Sequence, residues 1–275
     1  MNTETLIRNF EKIGAKVEIR RERIMQRHRQ RGGVDVPYSI DVAGRGRDEH
    51  FVLRVEPDAE VEFDALAPDS KTRHLILQAR PVTPGDFKPE KFLMGHDEMH
   101  FFAAALPNGS PVNVEQAKKA LMTDAVRHHV DRAAKRGDMG KKDEFRRKSR
   151  AFVRQGEWFF IPQPNMTVDP GIILKNEPLV RVDGGKPHMM EEACRFGGEP
   201  RWVWAGSILE QLAYEKLQAE NPKKARAYRQ MRLNPRVYCR GKIRHPDHHT
   251  LDLGRLWHLV EVNGEIRGAG LGFLD

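Results

Sequence analysis

Histidines and an aspartate crowd into one short C-terminal stretch of the chain. His245, Asp247, His248 and His249 lie in or beside a Pro-Asp turn, and His258 follows a few residues later. Histidine titrates closest to neutral pH, and its imidazole is a common ligand of transition metals. These residue types at this density therefore suggest proton-transfer chemistry or a metal site. The alternative for the same residues is a polar turn with one histidine in the core.

A functional site at this turn needs a second contributor, and the sequence offers one upstream. His188 and Glu191 follow a proline that predicts the start of a short helix, where residues three apart share a face. A histidine with a glutamate one turn later can bind a metal or act as an acid and base pair. An exposed, acidic helix end is the alternative. The candidate catalytic set is His245, Asp247, His248, His188 and Glu191, and a divalent metal is the candidate cofactor.

The elements that must position these residues are two strands and a turn. Residues 237–244 and 250–262 alternate apolar and polar side chains, which is typical of half-buried strands. The proline and aspartate between them favour a tight turn. We therefore predict a β-hairpin with histidines at its tip.

Three parts are expected along the chain. A β-rich domain covers 1–110, where six short β segments separated by Gly, Pro and Asp predict an antiparallel sheet. A basic helical connector covers 111–155, and an α+β domain with the histidine-rich hairpin covers 156–275. A capping box at Asn113 and Gln116 opens the connector. The expected fold class is α+β, with a mixed C-terminal unit that ends in the hairpin.

Positive charge is concentrated in three runs. Residues 20–31, 127–154 and 220–244 carry +5, +7 and +8, whereas the whole chain of 275 residues carries +8, so the remainder sums to −12. Residues 142–153 can continue as a second helix of the connector. Lys and Arg on such helices either face solvent or contact phosphates, whose counterions are then released.

This charge segregation predicts a nucleic-acid-binding protein, with RNA favoured over DNA. The expected phosphate contacts come from the basic helices of the connector, with support from a later basic run. They are Arg127, Arg146, Arg147, Arg150 and Arg154, supported by Lys223, Lys224, Arg226 and Arg229.

Two further functions use the same side chains. The histidine set could belong to a histidine- or metal-dependent phosphodiesterase or nuclease, and the basic runs could let a scaffold protein bind an acidic protein partner. The chain has no phosphate-binding P-loop, no nucleophile elbow, no dinucleotide fingerprint and no paired Cys-x-x-Cys motif. The His-x-Thr triplet at His248 has no second counterpart, which excludes the two-histidine phosphoesterases.

The remaining composition favours a globular, cytoplasmic protein. Hydrophobic residues make up 39% of the chain and charged residues 31%. Cys194 and Cys239 are too few for a disulfide framework, although one bond between them is open. No apolar window approaches the roughly 20 residues needed to span a bilayer, so no membrane partner is expected. The sequence does not indicate an oligomeric state.

Overall fold

A computed structural model describes residues 3–25, 30–31, 34–82, 89–107, 111–180 and 186–265. Two compact units divide these residues: 3–159 together with 261–265, and Phe160–Val260. Strands account for 44% of the structure and helices for 22%, in several sheets and five short α-helices. The predicted α+β class with a basic helical connector is therefore wrong, because the described chain is mostly β.

In the part of the chain that the structure describes, the first unit begins with a helix that is followed by nine strands. These elements are α1 (Thr3–Lys12), β1 (Val17–Arg21), β2 (Gln30–Arg31), β3 (Val34–Asp35), β4 (Tyr38–Ala43), β5 (His50–Val55), β6 (Val61–Asp69), β7 (His74–Pro81), β8 (Glu90–Asp97) and β9 (His100–Ala105). Strands β6 to β9 form an antiparallel sheet in chain order. Strand β5 pairs with β1 in parallel and with β4 antiparallel.

Aromatic side chains fill the core of the first unit. Phe10 of α1 packs against Phe51, and the ring of Tyr38 meets Phe63 and Phe92 edge-on. All five are almost completely buried. Each such side chain contributes about 1.5–3 kcal/mol relative to full exposure. This unit thus has a substantial apolar core of its own.

The expected basic connector is only partly helical. Helices α2 (Val114–Ala120) and α3 (Asp124–Lys135) are capped by Asn113 and Thr123, and Asn113 Oδ1 accepts the backbone N–H of Gln116 at 2.9 Å, as its capping box predicts. The second predicted helix, over 142–153, is wrong.

Residues beyond α3 fold into a turn that leads to β10 (Val153–Gln155). The backbone N–H of Arg154 donates to the carbonyl of Arg147, and that of Ser149 donates to Phe152. Ion pairs from Arg147 and Arg154 to Asp97 stabilise this turn. Residues about 50 positions upstream thus determine the structure of a segment whose own composition suggests a helix.

The second unit is built around a long two-stranded ladder. Its elements are β11 (Trp158–Pro162), on which the boundary with the first unit falls, then β12 (Leu174–Leu179), β13 (His188–Phe196), β14 (Glu199–Trp204), β15 (Ser207–Leu209), α4 (Gln211–Glu220), α5 (Pro222–Ala225), β16 (Arg229–Leu233), β17 (Arg236–His245), β18 (His248–Asp252) and β19 (His258–Val262). Strand β17 pairs antiparallel with β13 along one edge and with β18 and β19 along the other. Strand β12 pairs with the outer edge of β13.

The predicted helix at His188 is wrong, because that segment is strand β13. Hydrogen bonds to β12 on one side and β17 on the other override a local pattern that suits a helix. The ladder bulges between Met190 and Glu192, opposite Gly241, whose φ is +79°. A positive φ of this size suits glycine at a bulge.

The cysteines lie within the ladder as free, buried thiols. Cys194 pairs with Tyr238 and Cys239 pairs with Ala193. Cross-strand partners share a face and neighbours along a strand alternate, so the two thiols lie on opposite faces of the sheet. Burial raises the pKa of both thiols, that of Cys194 to about 11. This register does not allow the disulfide that the sequence leaves open.

Between β13 and β17 the chain forms a separate small substructure, residues 199–233, which we call the arm. Strands β14, β15 and β16 make a three-stranded sheet in the order β15-β14-β16, and α4 and α5 lie between β15 and β16 in the chain. Among the described residues no helix is long and apolar enough to cross a membrane.

Candidate metal centre

Three histidines meet at the hairpin end of the ladder. His245 ends β17 and His248 begins β18, and the two-residue turn between them places the pair directly opposite each other. His188 begins β13, one residue before Met189, which pairs with Arg244. Three neighbouring strands thus each contribute one histidine to the same place.

The three rings converge. Their centroids are 4.2 Å apart for His188 and His245, 4.8 Å for His245 and His248, and 5.5 Å for His188 and His248. Strands lie about 4.8 Å apart, so rings standing straight up on the outer two would be about 9.5 Å apart. One nitrogen from each ring lies within 4.8 Å of the other two. Such a triangle of imidazole nitrogens can hold a single ion.

Burial keeps the innermost histidine neutral. The exposed fraction of His188 is only 3%. This burial, and then the charges of His245 and His248, lower the pKa of His188 to about 3. A neutral imidazole carries the lone pair that a metal ligand needs. His188 can therefore serve as a metal ligand near neutral pH without first losing a proton.

The turn holds His245 through both of its ring nitrogens. The backbone N–H of Asp247 donates to Nδ1 at 3.1 Å, and Nε2 lies 3.1 Å from the carbonyl oxygen of Lys186. These contacts assign the Nε2–H tautomer, in which Nδ1 carries the lone pair. The carboxylate of Asp247 binds Lys186 Nζ at 2.8 Å. Asp247 and Lys186 therefore fix the ring from outside the cluster.

Of the five candidate catalytic residues, the structure brings His188, His245 and His248 together, with Asp247 beside them. Glu191 lies elsewhere, because its carboxylate accepts the backbone N–H of Lys242 at 2.7 Å, at the bulge. Its proposed helical spacing to His188 is wrong, since both residues lie in a strand.

Lys186 is the site residue that the sequence did not reveal. It precedes His188 by two positions, but its partner Asp247 lies 61 residues further along the chain. Only the pairing of β13 with β17 brings the two together.

The arginines expected to bind phosphate are largely paired with carboxylates of the first unit. Four of the five connector arginines form such pairs: Arg127 with Asp124, Arg146 with Asp143, Arg147 with Asp97 and Glu98, and Arg154 with Asp97. These pairs offset much of the local positive charge. The supporting cations Lys223, Lys224, Arg226 and Arg229 lie exposed on the arm, where the described residues show no ion pair for them. Binding of nucleic acid by these nine residues remains a prediction.

No protein-family model, curated protein or solved structure matches this chain. The chemistry of the residues themselves is therefore the basis for assigning a function.

Proposed function

We propose that the protein binds one divalent transition-metal ion through His188, His245 and His248. The convergence of three imidazole nitrogens within 4.8 Å of one another supports this proposal. Around tetrahedral zinc, with Zn–N bonds of about 2.0–2.1 Å, ligand nitrogens lie about 3.3 Å apart. Side-chain rotations that move the ring nitrogens by about 1 Å would bring them to this spacing.

The donor set selects the class of metal. Imidazole suits zinc, copper, nickel and cobalt, whereas magnesium and calcium prefer oxygen ligands. Three protein ligands leave a fourth position for water, which is the arrangement of catalytic rather than structural zinc sites. Zinc lowers the pKa of its bound water towards 7, and this supplies a nucleophile for hydrolysis. The metal-dependent form of the phosphodiesterase hypothesis is compatible with such a centre.

Contacts around His245 indicate which of its nitrogens binds the ion. Nε2–H donates to the carbonyl of Lys186, so Nδ1 is the atom with a lone pair. Metal-bound histidines usually donate their other N–H to a carbonyl or carboxylate in this way. An ion at Nδ1 would use the lone pair that now accepts the backbone N–H of Asp247. The ion pair of Asp247 with Lys186 keeps the turn in place.

Titration of the metal-free protein with Co²⁺, and with Zn²⁺ in competition, tests the proposal. We expect one ion per chain and the visible absorption of tetrahedral cobalt. His248→Ala removes one of three ligands and should weaken binding by more than the roughly 10- to 100-fold that loss of an outer-shell partner costs.

His249→Ala is the matched control, because His249 is the next residue along the same strand and its side chain points to the other face. Its affinity should stay close to that of the wild type. Equal losses in both variants, or no ion bound by the wild type, would contradict the proposal. Chelator-sensitive hydrolysis of an activated phosphodiester by the wild type but not by His248→Ala would extend it to catalysis.

A further inference from the structure

The arm has almost no core of its own. Of its residues only Ala225 and Tyr228 are buried, and α4 buries none. Leu212 on α4 is 74% exposed and Trp204 is 43% exposed. Most side chains of the arm are therefore exposed to solvent.

One face of the arm sheet is aromatic. Trp202 and Trp204 lie two apart on β14 and thus share this face. Tyr214 of α4 stacks on Trp202 at 3.6 Å, with the rings tilted by only 3°. Tyr228 contacts Trp204 at 5.8 Å between ring centroids. The ring of Trp202 is therefore covered by α4, whereas much of the Trp204 ring is exposed to solvent.

A cleft beside this face is lined by Arg232 and by Arg195, whose guanidinium is paired with Glu177 at 3.1 Å. Gln230 pairs with Trp202, and Arg232 pairs with Pro200, so both point to the aromatic side. The cleft has a volume of about 350 Å³, and its lining residues are Arg195, Pro200, Gln230, Met231, Arg232 and Pro235. Four residues of strand separate Trp204 from Pro200, which is about 13 Å.

The guanidinium of Arg232 is anchored in this cleft. Its Nη1 donates to the carbonyls of Gly197 and Gly198 at 3.3 and 3.2 Å. Gly198 has a φ of +77°, and a Cβ there would lie 2.8 Å from the carbonyl oxygen of Leu233. Glycine thus allows the close approach that presents both carbonyls. A guanidinium fixed through one nitrogen still offers its other N–H groups in a planar fork suited to phosphate.

Positive charge is concentrated on one segment of the arm. Residues 221–233 contain five Lys and Arg and no Asp or Glu. Lys223, Lys224, Arg226 and Arg229 are exposed on α5 and the strand after it. This stretch complements a polyanion.

We propose that the arm binds a single-stranded polynucleotide. One base stacks on the open face of Trp204, and a phosphate of the same strand enters the cleft at Arg232. Stacking on aromatic rings combined with a basic track is how proteins hold single strands with little sequence preference. A duplex hides its bases from Trp204, and an acidic peptide offers none. This proposal does not depend on the metal centre.

The test measures fluorescence anisotropy of the full-length protein with labelled single-stranded oligouridine and oligothymidine. Both should bind at about 50 mM salt and weaken steeply towards about 200 mM. Trp204→Ala should lose roughly tenfold in affinity, because stacking of one base contributes on that scale. Trp204→Phe keeps an aromatic ring and should recover most of it. Arg232→Gln should reduce the salt slope by about one.

Arg136→Glu is the matched control for charge, because Arg136 is an exposed cation of the first unit, outside the arm. Arg136→Glu should change the oligonucleotide affinity only slightly. The proposal is overturned if neither oligonucleotide binds. It is also overturned if Trp204→Ala and Arg136→Glu lose the same oligonucleotide affinity while both variants keep the wild-type circular dichroism. Tighter binding of duplex DNA, or displacement of the oligonucleotide by polyglutamate at equal charge concentration, would overturn it too. Oligodeoxyuridine differs from oligouridine only in lacking the 2′-hydroxyl, so tighter binding of oligouridine than of oligodeoxyuridine identifies RNA as the partner, and the reverse identifies DNA.

Discussion

The two ends of the β13–β17 ladder differ in almost every physical respect. At one end His188 and His245 face each other, and at the other end Phe196 pairs with Arg236 where the arm begins. Roughly 25 Å of strand separates them, at about 3.3 Å per residue. The histidine end is compact and partly buried, whereas the arm end is exposed and rich in Lys and Arg.

The difference means that the two proposed sites, at opposite ends of one ladder, would depend on separate chemistry. A metal bound by neutral imidazoles responds to protons, which compete for the same lone pairs. A polynucleotide held by Lys and Arg responds instead to salt, since its affinity comes from counterion release. The bulge at Gly241 lies between the two ends and changes the register of the strands. Metal affinity should therefore change with pH but not with salt, and polynucleotide affinity should change with salt but not with pH.

Replacing the arm tests this separation most strongly. Phe196 and Arg236 are paired, so an Asn-Gly turn can join β13 directly to β17 in place of residues 197–235. Among the described residues, the strands and helices of the arm pack closely only against one another. We expect polynucleotide binding to fall below detection, because stacking and phosphate contacts are lost together.

Metal binding by the same variant provides the comparison. Its affinity for Zn²⁺ should remain within about threefold of the wild type, a change of less than 1 kcal/mol. The measurement is Zn²⁺ competition against a chromophoric chelator, with circular dichroism to confirm folding. A folded variant that loses metal affinity would show that the two ends are coupled.

Gly241→Ala tests the junction between the two ends. Alanine at a φ of +79° costs about 1–2 kcal/mol, and the new Cβ would lie 2.6 Å from Glu191 Oε2. That carboxylate would move away from the N–H of Lys242, at a further cost of about 1 kcal/mol. We expect the free energy of unfolding of the second unit to fall by about 2–3 kcal/mol in urea denaturation.

Gly206→Ala in the arm is the matched control for the backbone. Gly206 has a φ of +81°, and nothing lies within 4 Å of an added Cβ. Gly206→Ala should pay only the conformational cost, because it displaces no carboxylate. Its loss of unfolding free energy should therefore be smaller than that of Gly241→Ala. Equal losses would mean that the contact of Glu191 with the bulge contributes nothing.

Sequence reasoning found the metal-centre histidines more readily than the fold around them. The alternation on both sides of Pro246 and Asp247 predicts the hairpin, because side-chain period and turn chemistry are local properties. His188 was selected by residue type, but its expected helix is wrong. Its strand exists because β12 and β17 hydrogen-bond to it, and no local pattern records those partners.

The sequence was an incomplete guide to the charged segments as well. A run rich in arginine suggested a cationic helix, yet Arg147 and Arg154 bind Asp97, 50 and 57 residues away. Composition reports how many charges a segment has, but only tertiary structure decides which are neutralised. On the arm, the cations of residues 221–233 have no acidic neighbours within the segment, and their contact with phosphate stays a prediction.

The smallest expected effect concerns pH. The arm contains no histidine, so its affinity for oligonucleotide should not change between about pH 7.5 and 5.5, the range in which histidines titrate. The sheet beside it contains His258, whose pKa is lowered by burial. Since the unfolded chain then takes up a proton at higher pH than the folded one, this group makes the folded state less stable as pH falls through its unfolded pKa.

His258→Gln removes that titration while keeping a side-chain N–H for the carbonyl of Leu256, which His258 Nδ1 contacts at 2.8 Å. We expect the variant to lose less unfolding free energy than the wild type on acidification. The difference should stay below about 1.4 kcal/mol, because pH 5.5 lies only about one unit below the pKa of a histidine in an unfolded chain. Urea denaturation at both pH values measures it, beside oligonucleotide anisotropy on the same samples. A polynucleotide affinity that follows the pH as steeply as the stability does would mean that the arm depends on the histidine-bearing sheet after all.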